Sequence, residues 1–406
     1  MIKSFLFETF NREGRNDIDV EKGGAKAAML NRFAQGKKLL LFAAVLAFAA
    51  SFSGCEKAVP QETEGKPKTG QEKKMEYEPV LPIKDFEGEF NKAVGWLNAE
   101  TILFYTGMGE SDNVYSYNLR TGRMELLTAS EEPIAGITIS PSRSRILIHS
   151  APSTYESIVT VIDLDGDIQY KGKIGSTELA YEWNQYDENN IMFTAFDESW
   201  NYKSYLLDVE KKDLQPVSMP QPFSWWINKE ELVFLDWDKD SPSLSAPVVK
   251  LVPSSKEKEE LLPAVYYADA AKNFFLAVTP YLNEPGIAEY QLYDNKQKRI
   301  ANIKVPQLSN FSGWVVPYYD YNEEKELFRY LSPKESGEAD YYDKGFHLME
   351  YNMKTKEQRK MLELESNEPL SCSLSGSFCL TGYNLEKLLN IKKKDTEPLI
   401  EVKSNP

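Results

Sequence analysis

The chain has 406 residues, of which 42% are hydrophobic, 12% aromatic and 27% charged, with a formal net charge of -15. Residues 1–54 sum to +3, so everything from Cys55 onward sums to -18, a balance that repels phosphate backbones and excludes nucleic acid as a partner. The 23 tyrosines and 7 tryptophans favour strands over long helices.

In chain order, residues 1–28 match nothing that export requires, whereas Met29 opens a complete signal peptide at 29–54. Translation is therefore expected to start at Met29, with 1–28 a misassigned extension. The codons for Lys22-Gly23-Gly24 can spell a purine-rich ribosome-binding site just upstream. Lys37 and Lys38 lead into the apolar run Leu39 to Phe52, which is shorter than the roughly 20 residues a membrane-spanning helix needs. It ends in Phe52-Ser53-Gly54-Cys55, which resembles the lipobox of bacterial lipoproteins. That resemblance implies cleavage between Gly54 and Cys55, diacylation of Cys55, and a lipid anchor in the cell membrane with the rest of the chain on the extracytoplasmic face. Two acyl chains hold where one binds only marginally. Residues 55–84 are rich in Glu, Lys, Pro and Gly and are expected to form a disordered linker, with an r.m.s. reach of roughly 25–29 Å.

From residue 85 to 406 a repeat organises the sequence. A polar turn followed by an apolar strand recurs around Leu103, Leu147, Met192, Val233, Phe275, Phe328 and Cys379. A second hairpin follows at a steady offset, at 117–123, 162–167, 207–213, 292–298 and 351–357, with poorer copies at 250–256 and 389–395. Two hairpins per unit describe an all-β fold, a β-propeller of four-stranded blades. Seven blades are favoured. Six is the alternative, with the first blade borrowing a strand from the far terminus to close the ring.

The ISPSRSRILI segment at 139–148, in which Ser140-Pro141-Ser142-Arg143 keeps part of a Ser-Pro-Asp-Gly turn, combines with the export signal and linker. Together they resemble the YqgU-like β-propeller lipoproteins of Gram-positive bacteria and, more distantly, the propeller repeats of TolB. The resemblance implies a surface-anchored propeller of unassigned activity.

Catalytic and metal-binding patterns are sparse. Two histidines, His149 and His347, have no G-x-S-x-G elbow to serve. DLDGD at 163–167 reads as a hairpin turn. DWDKDS at 236–241 alternates aspartates but lacks the Gly and Glu of a calcium loop. Among the expected innermost strands AGITI, LAYEW, PFSWW, AVYY, GWVV and LSCSL, only Glu182 is acidic, too few for an oxygen cage, so neither a metal nor a cofactor is expected. Cys372 and Cys379 flank a turn that sets them opposite each other, which permits either a disulfide or paired thiols.

What remains is a surface. Loops between second and third strands bring Trp200, Tyr202, Trp237, Tyr281, Tyr341 and Tyr342 near acids that include Asp238 and Asp240. Aromatic faces with nearby acceptors suit a surface protein, a peptide or a wall glycan, unless the rings instead close over blade cores. The expected function is a non-catalytic, membrane-tethered binding or scaffold module. The alternative is an extracytoplasmic hydrolase or lyase that uses carboxylates.

Overall fold

A computed structural model describes residues 77–401, apart from Glu110, Pro242, Asn295 and Ser312. The signal segment, Gly54, Cys55 and the linker up to residue 76 lie outside the described residues. The fold is a β-propeller. Seven antiparallel four-stranded sheets cover residues 89–130, 134–175, 178–217, 225–265, 267–306, 319–364 and 370–398, each with its strands side by side in chain order. They are numbered sheet 1 to sheet 7 below.

The repeat in the sequence is the repeat of second strands. Leu103, Leu147, Met192, Val233, Phe275, Phe328 and Cys379 each fall in the second strand of their sheet. These strands are apolar on both faces because a neighbouring sheet covers each side. One core cluster joins Leu147 and Val159 of sheet 2 to Trp183 and Phe193 of sheet 3. Another joins Val233 of sheet 4 to Phe275 of sheet 5, and a third joins Leu276 of sheet 5 to Phe328 of sheet 6. Fourth strands lie outermost and are mostly exposed, as in Glu257–Val265 and Asp395–Pro398. Their Lys and Glu side chains blunt edges that would otherwise invite strand pairing.

The turns between third and fourth strands explain why some copies of the second hairpin read poorly. Asn118, Asn352 and Asn390 each accept backbone N–H bonds from the residues two and three positions on, and Asp208 accepts one from Lys211, three positions on. Asp163 similarly accepts from Asp165 and Asp167, so DLDGD is spent on its own turn. Sheet 4 has Val252 at this position. The left-handed residue of each turn is Gly122 or Gly166 in the first two sheets, but Lys212, Lys256, Gln297, Lys356 or Lys394 in the others. The 250–256 and 389–395 segments are turns all the same.

Spacing stretches after sheet 5 because extra chain is inserted there. Leu308–Asn310 pairs with Gly313–Val315 and, in parallel, with Gly337–Glu338, making a small additional three-stranded sheet.

Closure uses no exchanged strand: sheet 1 is made of its own four strands and does not borrow one from the far terminus, as the six-blade alternative would have it. The linker boundary also moves. Residues 78–84, assigned to the linker by composition, pack against sheets 1 and 7. Val80 N–H donates to Leu119 O (2.7 Å), Tyr117 Oη–H donates to Val80 O (2.8 Å), and Ile83 N–H donates to Leu399 O (2.7 Å). Ile83 is buried and bridges Ile400, while Glu78 pairs with Lys393 and Lys84 with Glu401. Apolar Val80 and Ile83 supply the anchoring that the polar composition hid. Trp96 Nε1 donates to Ser371 O (2.9 Å), joining the inner strands of the same two sheets.

Sheet 6 buries an ion pair. Glu350 bridges Arg329 (2.8 Å) and Arg359 (2.6 Å), with Arg329 and Glu350 each about as enclosed as the core. Burial works against ionising Glu350, yet Arg329 and Arg359 outweigh it and hold its carboxyl below the usual range.

Two stability outcomes follow from this architecture. Lys256→Gly should raise stability by about 0.5–1 kcal/mol in urea titration, because a side chain in the left-handed region carries a steric cost that glycine avoids. Glu350→Gln should lower stability by about 3 kcal/mol by leaving Arg329 buried without its counter-charge. In the wild type, the pair's contribution is present above the ordinary glutamate pKa and is lost as pH falls through the depressed folded value, which urea titrations across the acid range would reveal.

Candidate functional site

The first strands of all seven sheets face a central cavity of about 660 Å³. Its wall takes Trp96 from sheet 1, Ile137 and Thr138 from sheet 2, Glu182 from sheet 3, Trp225 from sheet 4, Asp269 from sheet 5, Tyr321 from sheet 6 and Ser371 from sheet 7. The volume falls in the range of small-ligand sites.

Glu182 was expected to be the sole acid here, and the structure corrects that. The outer strand of sheet 4 runs on to Val265, so the inner strand of sheet 5 is Tyr267–Ala271 rather than AVYY, and it carries Asp269. GWVV belongs largely to the small extra sheet, which leaves Tyr319–Asn322 as the inner strand of sheet 6. Its following turn brings Glu323 to the wall. Lys92, on the unassigned inner strand of sheet 1, also lines the cavity, and burial pulls its amine pKa down. A signal was available in both cases, since KAVGW and YADAA each precede a polar turn at the repeat spacing.

Asp269 sits at the end of a hydroxyl relay. Tyr319 Oη–H donates to Asp269 Oδ2 (2.5 Å), and the Tyr267 and Tyr319 hydroxyls lie 2.7 Å apart. Burial, reinforced by the Asp269 charge, raises the Tyr319 pKa well above its usual value and keeps the proton on its oxygen.

One end of the cavity is bounded by turns. Gln185 Nε2 of sheet 3 donates to Ala270 O of sheet 5 (3.2 Å), Lys272 N–H donates back to Gln185 Oε1, and Asn273 N–H donates to Tyr186 Oη (3.2 Å). These contacts pass over sheet 4, whose inner strand is only Trp225–Trp226. Arg143 of sheet 2 reaches Glu323 of sheet 6 at 3.9 Å. Burial raises the Glu323 pKa, and Arg143 offsets part of that rise. All these turns join first to second strands, so they share an end of the barrel-like stack with the third-to-fourth turns that hold Val80 and Glu78. The loops that join second to third strands lie at the opposite end.

The predicted loop residues sit at that opposite end, on four different loops, and several are committed to their own cores. Trp200 and Tyr202 pack edge-on or tilted against Phe196, and Tyr202 Oη–H donates to Met219 O (3.3 Å). Trp237 packs against the cluster shared by sheets 4 and 5. Tyr342 Oη accepts Lys334 N–H (2.8 Å) and donates to Gly345 O (3.0 Å), organising its loop. Tyr281 lies under the Lys304 ammonium, 3.9 Å from the ring centroid. Asp238 caps the Asp240 N–H (2.9 Å), and both aspartates are exposed. Tyr341 is 83% exposed.

His149 is buried, with Nε2 2.8 Å from Ser157 Oγ, which is 2.8 Å from Ser176 Oγ. Burial lowers its pKa to about 4. His347 lies near the surface with Glu363 at 3.7 Å. Cys372 and Cys379 are cross-strand partners joined as a disulfide, beside Arg329 Nη1 at 3.7 Å from Cys379 Sγ. Buried Asp320 accepts Cys372 N–H (3.2 Å), and burial raises its pKa to about 6. Among the described residues, no group of three or more His, Cys, Asp or Glu is arranged to hold a metal ion, and no helix is long and apolar enough to cross a membrane.

A family model described as a YqgU-like 6-bladed beta propeller domain matches residues 118–382. That stretch contains sheets 2 to 6 whole and parts of sheets 1 and 7. The uncharacterised lipoprotein YqgU of Bacillus subtilis is 26% identical over 359 residues, covering 88% of this chain and 95% of that protein. An uncharacterised protein of Listeria monocytogenes EGD-e is similar in structure, with a TM-score of 0.71 at 22% identity over 80% of this chain and 100% of the other. The β-propeller domain of the Trilobed protease from Pyrococcus furiosus, described as having an open velcro topology, gives a TM-score of 0.52 at 11% identity over 78% and 99% of the two chains. The last two show the fold alone.

The enclosed histidine makes the fold acid-sensitive. Because the folded pKa of His149 is depressed, its contribution is intact above the unfolded value near 6.5 and is lost as pH falls towards 4. Urea titration at pH 7.5 and 4.5 should show a loss of roughly 2–3 kcal/mol from this group, largely absent in His149→Gln.

Proposed function

We propose, for a chain that belongs to the YqgU-like six-bladed β-propeller family, a non-catalytic binding role on the extracytoplasmic face of the cell membrane. The relative that is itself a lipoprotein supports an anchor, and Gly54–Cys55 is the proposed cleavage and acylation site. We count each four-stranded sheet as one blade, which makes seven. The family's description of six refers to a match that takes in only part of the first and last.

One observation carries the binding reading. The chain enters at Glu78–Val80, beside the third-to-fourth turns of sheets 7 and 1, and the acidic second-to-third loops occupy the other end. A module tethered there presents its loops away from the anchor, towards a protein, peptide or wall glycan. Crosslinking the intact lipoprotein in its membrane and comparing wild type with Asp238→Lys/Asp240→Lys/Tyr341→Ser tests this. All three positions are exposed, so the fold should persist and partner recovery should fall several-fold. Equal recovery by both proteins would defeat the loop face as the binding surface.

The hydrolase or lyase reading keeps one supporting observation, that Glu182 and Asp269 line the same cavity. It requires Glu182→Gln to abolish product release from wall polysaccharide.

A further inference from the structure

Sheet 7 carries a disulfide that its hairpin does not need. Cys372 and Cys379 are seven residues apart and directly paired across the first and second strands of that sheet, and the hairpin closes without the bridge. Ser373 N–H donates to Phe378 O (2.8 Å), and Gly376 N–H donates to Ser373 O (2.7 Å). Because the chain-entropy benefit of a cross-link shrinks with the loop it closes, so short a bridge adds little to a hairpin already held by its ladder and turn.

Its surroundings suit thiol chemistry. Asp320, Arg329, Glu350 and Arg359 are successive cross-strand partners on the four strands of sheet 6, and this charged row reaches the sulfurs. Arg329 gives Nε and Nη2 to Glu350 (2.9 and 2.8 Å) and Nη2 also to Gly376 O (3.1 Å), while Nη1 stands 3.7 Å from Cys379 Sγ. Glu350 is shared with Arg359, so these three groups carry one more positive charge than negative. A guanidinium beside a cysteine sulfur favours the thiolate over the thiol.

The other cysteine meets an acid. Asp320 Oδ1 accepts Cys372 N–H (3.2 Å), and Asp320 Oδ2 is shut off from solvent with no partner among the described residues. Burial raises the pKa of this carboxyl to about 6, against the opposing pull of the Cys372 N–H, Arg329 and Arg143, so it gains and loses its proton close to neutral pH. The two sulfurs also differ in access. Cys372 keeps 7% of its surface and Cys379 none, so an incoming thiol approaches Cys372, and the sulfur expelled is the one beside Arg329.

We infer that Cys372–Cys379 is an exchangeable disulfide, opened in the folded protein by a dithiol reductant that attacks Cys372 and expels Cys379 as a thiolate held by Arg329. The reductant's first thiolate bonds to Cys372 Sγ as the Cys372–Cys379 bond breaks, and that bond's electron pair goes to Cys379. The second thiol loses its proton to solvent, closes the reductant's own disulfide and releases Cys372, which takes a proton from Asp320. Two electrons pass to the protein, the dithiol is oxidised, Asp320 is reprotonated from solvent, and one proton stays in solution while Cys379 remains ionised. Strand Leu370–Cys372 also carries Ser371, whose carbonyl accepts the Trp96 bond between sheets 1 and 7, so the exchange acts on a strand that helps to complete the ring. The inference is independent of what the loop face binds.

Mass spectrometry of the alkylated full-length protein in detergent tests it, with dithiothreitol as the dithiol and glutathione as a trapping monothiol. A purely structural bond, reached only through global unfolding, reacts in the folded protein at least ~10³-fold more slowly than in urea-unfolded protein. Reduction of the folded protein should instead run within about a hundredfold of the unfolded rate, and glutathione should be trapped on Cys372, leaving Cys379 to iodoacetamide. Arg329→Gln should slow reduction about tenfold or more, because a leaving thiol of higher pKa departs more slowly, and Arg329→Lys should restore part of the rate. A folded-state rate more than about a hundredfold below the unfolded rate, or a glutathione adduct on Cys379, overturns the proposal. So does an Arg329→Gln variant that melts at the wild-type temperature and is reduced as fast as wild type. The first two measurements need no variant, so they decide even if Arg329→Gln does not fold.

Discussion

Every sheet in this protein depends on burying its second strand between two neighbours. Strands such as Thr101–Gly107, Asn190–Phe196 and Leu232–Leu235 are enclosed along almost their whole length, which is possible only if a further sheet covers each face. No single sheet can meet that demand, and a stack with free ends would leave two faces wet. A closed ring is the arrangement that leaves none. The inner strands then face a shared axial space, while the fourth strands face solvent and are charged accordingly. The cavity is therefore a by-product of core packing, and function has had to use whichever side chains the inner strands present to it.

Those inner strands are where sequence reasoning was weakest. The second strands announce themselves by continuous apolar character, and Leu103 through Cys379 mark all seven. The inner strands are short, half-polar and closely followed by turns, as in Trp225–Trp226 and Leu370–Cys372. A shift of three or four residues, as with AVYY against Tyr267–Ala271, exchanges a neutral strand for one bearing Asp269. The aromatic loop residues illustrate the opposite difficulty. Trp200, Tyr202 and Tyr342 lie on the expected loops, but an aromatic ring beside an acid looks the same in sequence whether it faces a ligand or its own core. Only contacts such as Trp200 on Phe196 distinguish the two. Cys372 and Cys379 were legible as a pair because a turn of known centre fixes their register.

The turns show how little glycine the fold requires. Five of the seven outer turns place Lys or Gln in the left-handed region, compensated in most of them by an Asn or Asp that gathers the turn's N–H groups. This exchange conceals turns from a search for Asn-Gly or Asp-Gly, and it puts lysines at the end where the chain enters. The opposite end collects the acids. Charge is thus divided along the axis of the ring, although the composition alone gives a single negative total.

The segment from Glu78 to Lys84 has a mechanical meaning. It lies across the seam between the first and last sheets, held by Val80 to Leu119 on one side and by Ile83 to Leu399 on the other. It is also the covalent continuation of the chain that precedes the propeller. Tension applied from that side therefore arrives first at the seam, before any sheet interior is loaded. Some of the bonds that complete the ring are thus also the first to carry a pull on the domain.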